Sequence, residues 1–141
     1  MSTKTATVKH IEGVTFVGKT DSNHWITMDG PKEFGGSDAG IRPKELLLLS
    51  LAGCTASDVA VILKKKKINM EKFELNITAD MQETHPQVYT KINIEYVFYG
   101  KEIPKEAVER AIELSQKTYC SVTAMLQKSM EITHSYIIQE K

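Results

Sequence analysis

The chain has 141 residues, 41% of them hydrophobic and 26% charged, a composition that fits a single globular domain over residues 1–141. Its 18 basic and 18 acidic residues balance, so the composition makes no case for nucleic acid or an anionic surface as partner. The opening Met1-Ser2-Thr3-Lys4-Thr5-Ala6-Thr7-Val8 lacks the apolar stretch of a signal peptide, and the cytoplasm is the expected location.

Residues 5–10, 14–18 and 24–28 are β-friendly and are punctuated by Glu12-Gly13 and Asp21-Ser22-Asn23, which predicts three short strands. A breaker-rich stretch follows over 29–41, with Gly30, Pro31, Gly35, Gly36 and Gly40. Loops of that length are uncommon in small domains and are often functional or mobile. Pro43 suits the first turn of a helix and Glu45 its positive end, so a helix is expected from there to about residue 67. Its stretch 46–63 is mostly apolar, but Ser50, Gly53, Thr55, Ser57 and Asp58 interrupt it. A charged Asp58 near the middle of a lone membrane span would cost about 2.5–3.5 kcal/mol. A buried core helix is therefore expected, not a membrane span. The run Lys64-Lys65-Lys66-Lys67 reads as its solvated end. So apolar a helix needs cover on more than one side, which a second subunit would supply, and a homodimer is expected.

Phe73, Leu75, Ile77, Ala79 and Met81 alternate with polar neighbours, as do Ile92, Ile94, Tyr96 and Phe98, which predicts two strands joined through Thr84-His85-Pro86-Gln87. A second helix opens near Pro104, with Ala107, Val108, Ala111, Ile112 and Leu114 inward. A break near Lys117-Thr118 precedes a third helix over about 120–128, and a strand over 130–139 closes the chain. Strands, helix, strands, helices and a last strand make the fold α+β.

The chain has two cysteines, Cys54 and Cys120, in different predicted helices. In a reducing compartment they are either buried free thiols or a transient, catalytic disulfide. Ser50, Cys54, Ser57 and Asp58 fall at i, i+4, i+7 and i+8 and form one narrow polar stripe. That stripe either lines a cleft holding the thiol or lets another helix approach closely. Asp58, one turn after Cys54, would raise that thiol's pKa, whereas Cys120 sits where a helix begins, beside N–H groups that favour a thiolate. Local physics therefore makes Cys120 the thiol expected to ionise more easily. His10, His24, His85 and His134 show no paired ligand spacing, and no metal site is expected. There is no phosphate-binding glycine loop and no nucleophile elbow.

Pro43-Lys44-Glu45-Leu46-Leu47-Leu48-Leu49-Ser50-Leu51-Ala52-Gly53-Cys54, followed later by Tyr119-Cys120-Ser121, resembles the OsmC/Ohr superfamily. The segments Val14-Thr15-Phe16-Val17-Gly18 and Ile132-Thr133-His134-Ser135-Tyr136 place the resemblance closest to its YhfA-like branch. It implies an OsmC-like fold, with antiparallel sheets and a long buried central helix, in an intertwined homodimer. It also implies a catalytic pair that reduces organic hydroperoxides. Cys54 would attack the peroxide as thiolate and become a sulfenic acid, Cys120 would condense with it to a disulfide, and a dithiol reductant would restore both, with no metal or flavin.

Several positions depart from the family pattern. The family's glutamate directly after the proline is Lys44 here, with Glu45 one step on and about 100° round the helix. The family's N-terminal arginine has no counterpart before Arg42, and the proline common after the second cysteine is absent. The expected site is Cys54 and Cys120, with Glu45, Arg42 and Asp58 as supporting candidates. Hydroperoxide reduction or disulfide exchange is the expected activity. The alternatives are a non-catalytic dimer that binds an apolar small molecule, and a redox sensor that forms the disulfide without efficient turnover.

Overall fold

The computed structural model describes residues 1–140, which fall into two compact units, Met1–Leu48 and the chain from Leu49 onward. In the first, β1 (Ala6–Glu12), β2 (Thr15–Thr20) and β3 (Trp25–Met28) form an antiparallel sheet in the order β1-β2-β3. The loop after β3 is tied down by one buried carboxylate rather than left loose. Asp29 is 1% exposed and accepts hydrogen bonds from the N–H groups of Gly30, Ser37 and Ala39 and from Thr15 Oγ1. Burial alone would raise its pKa, but those four donors hold it below the ordinary carboxylate value. A Cβ on Gly36 would lie 2.0 Å from Gly30 O and 2.9 Å from Asp29 Oδ1, so this winding requires a glycine there.

α1 (Glu45–Lys65) begins just before the boundary and continues into the second unit. That unit also holds β4 (Lys72–Met81), β5 (Tyr89–Tyr99), α2 (Lys105–Leu114), a π-helical turn (Ser115–Tyr119), α3 (Ser121–Leu126) and β6 (Glu131–Gln139). The sheet order is β4-β5-β6, with β4 antiparallel to β5 but β6 parallel to it. One pairing thus departs from the expected all-antiparallel sheets. Parallel neighbours need a long crossover, and α2, the π turn and α3 provide it.

The alternation in β5 resolves as expected: Ile92, Ile94, Tyr96 and Phe98 are fully buried on one face. Leu51, Thr55, Val59 and Leu63 of α1, four residues apart, form a second fully buried line. α2 adds Val108, Ala111 and Ile112. Within one chain α1 is buried along that line only, so it is long and central but not buried all round. Leu49 and Val61 remain 58% and 52% exposed. By length and composition alone α1 would also be long and apolar enough to cross a membrane.

Candidate active site

The second unit brings Cys54 of α1 and Cys120 together. The two Sγ atoms and a carboxylate oxygen of Asp58 all lie within 4.8 Å of one another. Both cysteines are free thiols, Cys120 buried and Cys54 partly exposed. The polar stripe on α1 meets the segment that carries Cys120. Cys54 and Asp58 face the start of α3, while Ser57 turns back to donate to Gly53 O on its own helix.

Local geometry at α3 comes from the π turn, in which the Cys120 N–H donates to Ser115 O at 2.7 Å. The wider turn ends the helical run and leaves Cys120 extended, as the N-cap of α3. Its Sγ accepts from the Thr123 N–H at 3.4 Å, and the Ser121 hydroxyl lies 3.9 Å from Cys54 Sγ. π turns inside helices are frequent at functional sites.

The thiols ionise in the opposite order to the sequence expectation. Burial alone would raise Cys54, but hydrogen bonds from the Val122 N–H, Cys120 and Ser121 take it below the ordinary thiol value, against the opposing charge of Asp58. Burial pushes Cys120 up, which Thr123 only partly offsets, and the neighbouring Cys54 raises it further. The N-terminal donors of α3 were expected to serve Cys120; they serve Cys54 as well, and Cys54 carries the smaller burial penalty.

Behind the thiols runs a buried hydrogen-bond chain. Ser115 Oγ donates to Asp58 Oδ2 at 2.8 Å. A hydroxyl has one proton, so Thr55 donates to Ser115 (2.6 Å) and the Tyr96 hydroxyl donates to Thr55 (2.7 Å). Gln116 Nε2 donates to both Thr55 and Tyr96, and its Oε1 accepts from Thr123. Burial, ahead of all else, pushes the Tyr96 phenol up to about 12, which keeps it a donor. Among the described residues no buried side-chain polar atom lacks a partner.

Arg42 and Glu45 belong to the first unit, where both have local partners. Arg42 Nη1 pairs with Asp38 at 2.8 Å and donates to Gly40 O, and the Arg42 N–H donates to Glu45 Oε1 at 3.0 Å. The last contact is one half of a capping box at the start of α1. Arg110, the other arginine, pairs with Glu113 on α2.

Residues 35–135 match the family described as OsmC-like protein. The chain belongs to the OsmC-like family. It is 40% identical over 131 residues to Protein YhfA of Escherichia coli (strain K12), covering 93% of this chain and 95% of that one. The OsmC-like fold recurs in a hypothetical protein from Aquifex aeolicus VF5, with a TM-score of 0.86 and 33% identity over 100% of this chain and 99% of the other. An organic hydroperoxide resistance protein from Elizabethkingia anophelis superposes with a TM-score of 0.72 over 99% of this chain and 98% of its own, at 17% identity, a likeness of fold.

Family membership and a close cysteine pair are compatible with a thiol redox role. Sequence reading had no sight of Thr55, Tyr96, Ser115, Gln116, Ser121 and Thr123 as site residues. The signal for one of them was Thr55, a hydroxyl in the middle of an apolar helix. Tyr96 was hidden because its ring alternates with isoleucines like any core residue.

Proposed function

We propose that this OsmC-like protein reduces organic hydroperoxides through Cys54 and Cys120, as a cytoplasmic homodimer. The reading is carried by one observation: two sulfurs within 4.8 Å of one another, of which only Cys54 has its thiol drawn toward the thiolate. The Cys54 thiolate attacks the terminal peroxide oxygen, the O–O bond breaks, and the departing alkoxide takes a proton to leave as the alcohol. Cys54 is now a sulfenic acid. Cys120 Sγ attacks that sulfur, the S–O bond breaks, and the hydroxide leaves as water with the Cys120 proton. A disulfide has an S–S bond of about 2.05 Å, so closing the pair requires the side chains to approach. A dithiol reductant then returns both sulfurs to thiols by exchange.

A second reading, disulfide exchange or redox sensing without efficient peroxide turnover, is favoured by the arginines. Arg42 is held by Asp38 and Arg110 by Glu113, and the hydrogen bonds that lower Cys54 come from uncharged donors. One experiment separates the two. One equivalent of cumene hydroperoxide is added to reduced protein, and the Cys54–Cys120 disulfide is mapped by mass spectrometry against time. Peroxidase function requires oxidation at least about a hundredfold faster than free cysteine (about 2.7 kcal/mol of barrier) and its loss in Cys54→Ser. Oxidation at the rate of free cysteine, with the same disulfide forming in a glutathione disulfide buffer, leaves the exchange reading standing.

A further inference from the structure

We infer that Cys54, Asp58 and Cys120, when reduced, are the three protein ligands of a thiophilic divalent cation of the Zn²⁺ type. Two thiols and a carboxylate converge, with their ligand atoms all within 4.8 Å of one another. A tetrahedral Zn²⁺ with Zn–S near 2.3 Å and Zn–O near 2.0–2.2 Å needs these ligand atoms about 3.5–3.8 Å apart. The three side chains therefore close on the ion by at most about 1–1.3 Å, within reach of small side-chain rotations. Two thiolates select a soft or borderline cation over Mg²⁺ or Ca²⁺.

Outer partners are already in place, as metal sites require. Ser115 Oγ holds Asp58 Oδ2 at 2.8 Å and so orients the carboxylate. The Thr123 N–H fixes Cys120 Sγ, and the Ser121 hydroxyl lies beside Cys54 Sγ. An opening of about 320 Å³ lined by Ser57, Asp58, Val61, Lys65 and Tyr119 gives solvent a route to the carboxylate. Three protein ligands leave a fourth position for water or an incoming thiolate, the pattern of an open rather than a sealed site. Binding displaces the two thiol protons to solvent and changes no oxidation state. No local ligand spacing marks this set, because its members lie on two separate segments, α1 and the start of α3.

Ion and peroxide compete for the same sulfurs, because a disulfide has no thiolate to offer. The bound cation would hold the pair reduced, a consequence that rests on the redox reading, although the site itself does not.

The test titrates fully reduced chain with Co²⁺ as the spectroscopic probe and displaces it with Zn²⁺. One cation per chain and a thiolate-to-cobalt charge-transfer band are expected, absent after oxidation to the disulfide and in Cys54→Ser and Cys120→Ser. Asp58→Asn, which keeps the shape of the side chain, should weaken Zn²⁺ by at least about 10-fold, the lower end of what outer partners alone carry. Circular dichroism of each variant confirms that a lost band is a lost ligand. No charge-transfer band in the folded wild-type chain, or a band unmoved by Cys120→Ser, overturns the site; unchanged affinity in Asp58→Asn overturns the three-ligand set. Cobalt binding by a chain that, when metal-free, forms no disulfide with either peroxide or glutathione disulfide defeats the redox reading alone. Rapid disulfide formation without cobalt binding defeats this inference alone.

Discussion

At Cys54 three donors, the Val122 N–H, Cys120 and the Ser121 hydroxyl, outweigh both burial and the negative charge of Asp58 one helical turn away. Cys120 is 3% exposed, and its thiol is pushed the other way. The pair therefore divides its labour by environment: one sulfur ionises readily and one stays protonated until it is needed. With reduced protein at neutral pH, iodoacetamide should label Cys54 first, and the labelling rate should rise with pH through a midpoint below that of free cysteine. Ser121→Ala removes a donor and should move that midpoint up; Asp58→Asn removes an opposing charge and should move it down. Peptide mapping of the alkylated chain reads all three, and prior labelling of Cys120 would contradict this division. The opposing role of Asp58 was legible in the sequence, because i and i+4 on a helix are neighbours whatever the tertiary fold. The donors from α3 were not, because no local pattern tells which sulfur a helix N-terminus will face once two helices meet.

The elements behind the site are joined through side chains more than through shape. Thr55 on α1, Tyr96 on β5 and Ser115 at the π turn share one hydrogen-bond chain ending on Asp58, with Gln116 bracing it. Each hydroxyl is buried, so an unpaired partner bears its full desolvation penalty. Thr55→Val keeps the volume, leaves the Tyr96 O–H without its acceptor and removes the bond that Ser115 accepts, while Ser115 still donates to Asp58. It should cost about 1–3 kcal/mol, read as a lower urea midpoint at unchanged slope. The double change Thr55→Val/Tyr96→Phe should cost less than the sum of the single ones, since it removes both ends of one bond. Additive costs would mean that the hydroxyls do not act together. The strands themselves were legible, because alternation at β5 is dictated by a sheet with one buried face. The parallel pairing of β6 and the π turn were not. Strand direction depends on a crossover some thirty positions long, and one extra residue in a helical turn leaves no mark in hydrophobic periodicity.

On the scale of the whole molecule, the apolar surface left by a single chain needs an explanation. In the first unit Val8, Ile11, Trp25 and Ile26 are all exposed by more than two fifths, and on α1 so are Leu49 and Val61. Scattered exposed apolar residues are ordinary, but contiguous patches mark interaction surfaces. Leu49 and Val61 lie outside the buried line of that helix, which reaches β5 through the Thr55–Tyr96 hydrogen bond. A second copy of the chain is the occupant we propose, since an apolar helix buried along one line within its own chain can bury its remaining apolar residues against its twin. A lipid bilayer would have to accept Asp58 near the middle of the same helix, at about 2.5–3.5 kcal/mol. Light scattering of the chain in detergent-free buffer should give twice the mass of one chain. The double change Leu49→Asp/Val61→Asp should shift it to one chain's mass while the far-ultraviolet circular dichroism keeps its α+β form. A wild-type chain that is monomeric at micromolar concentration, or that sediments with vesicles, would remove the dimer.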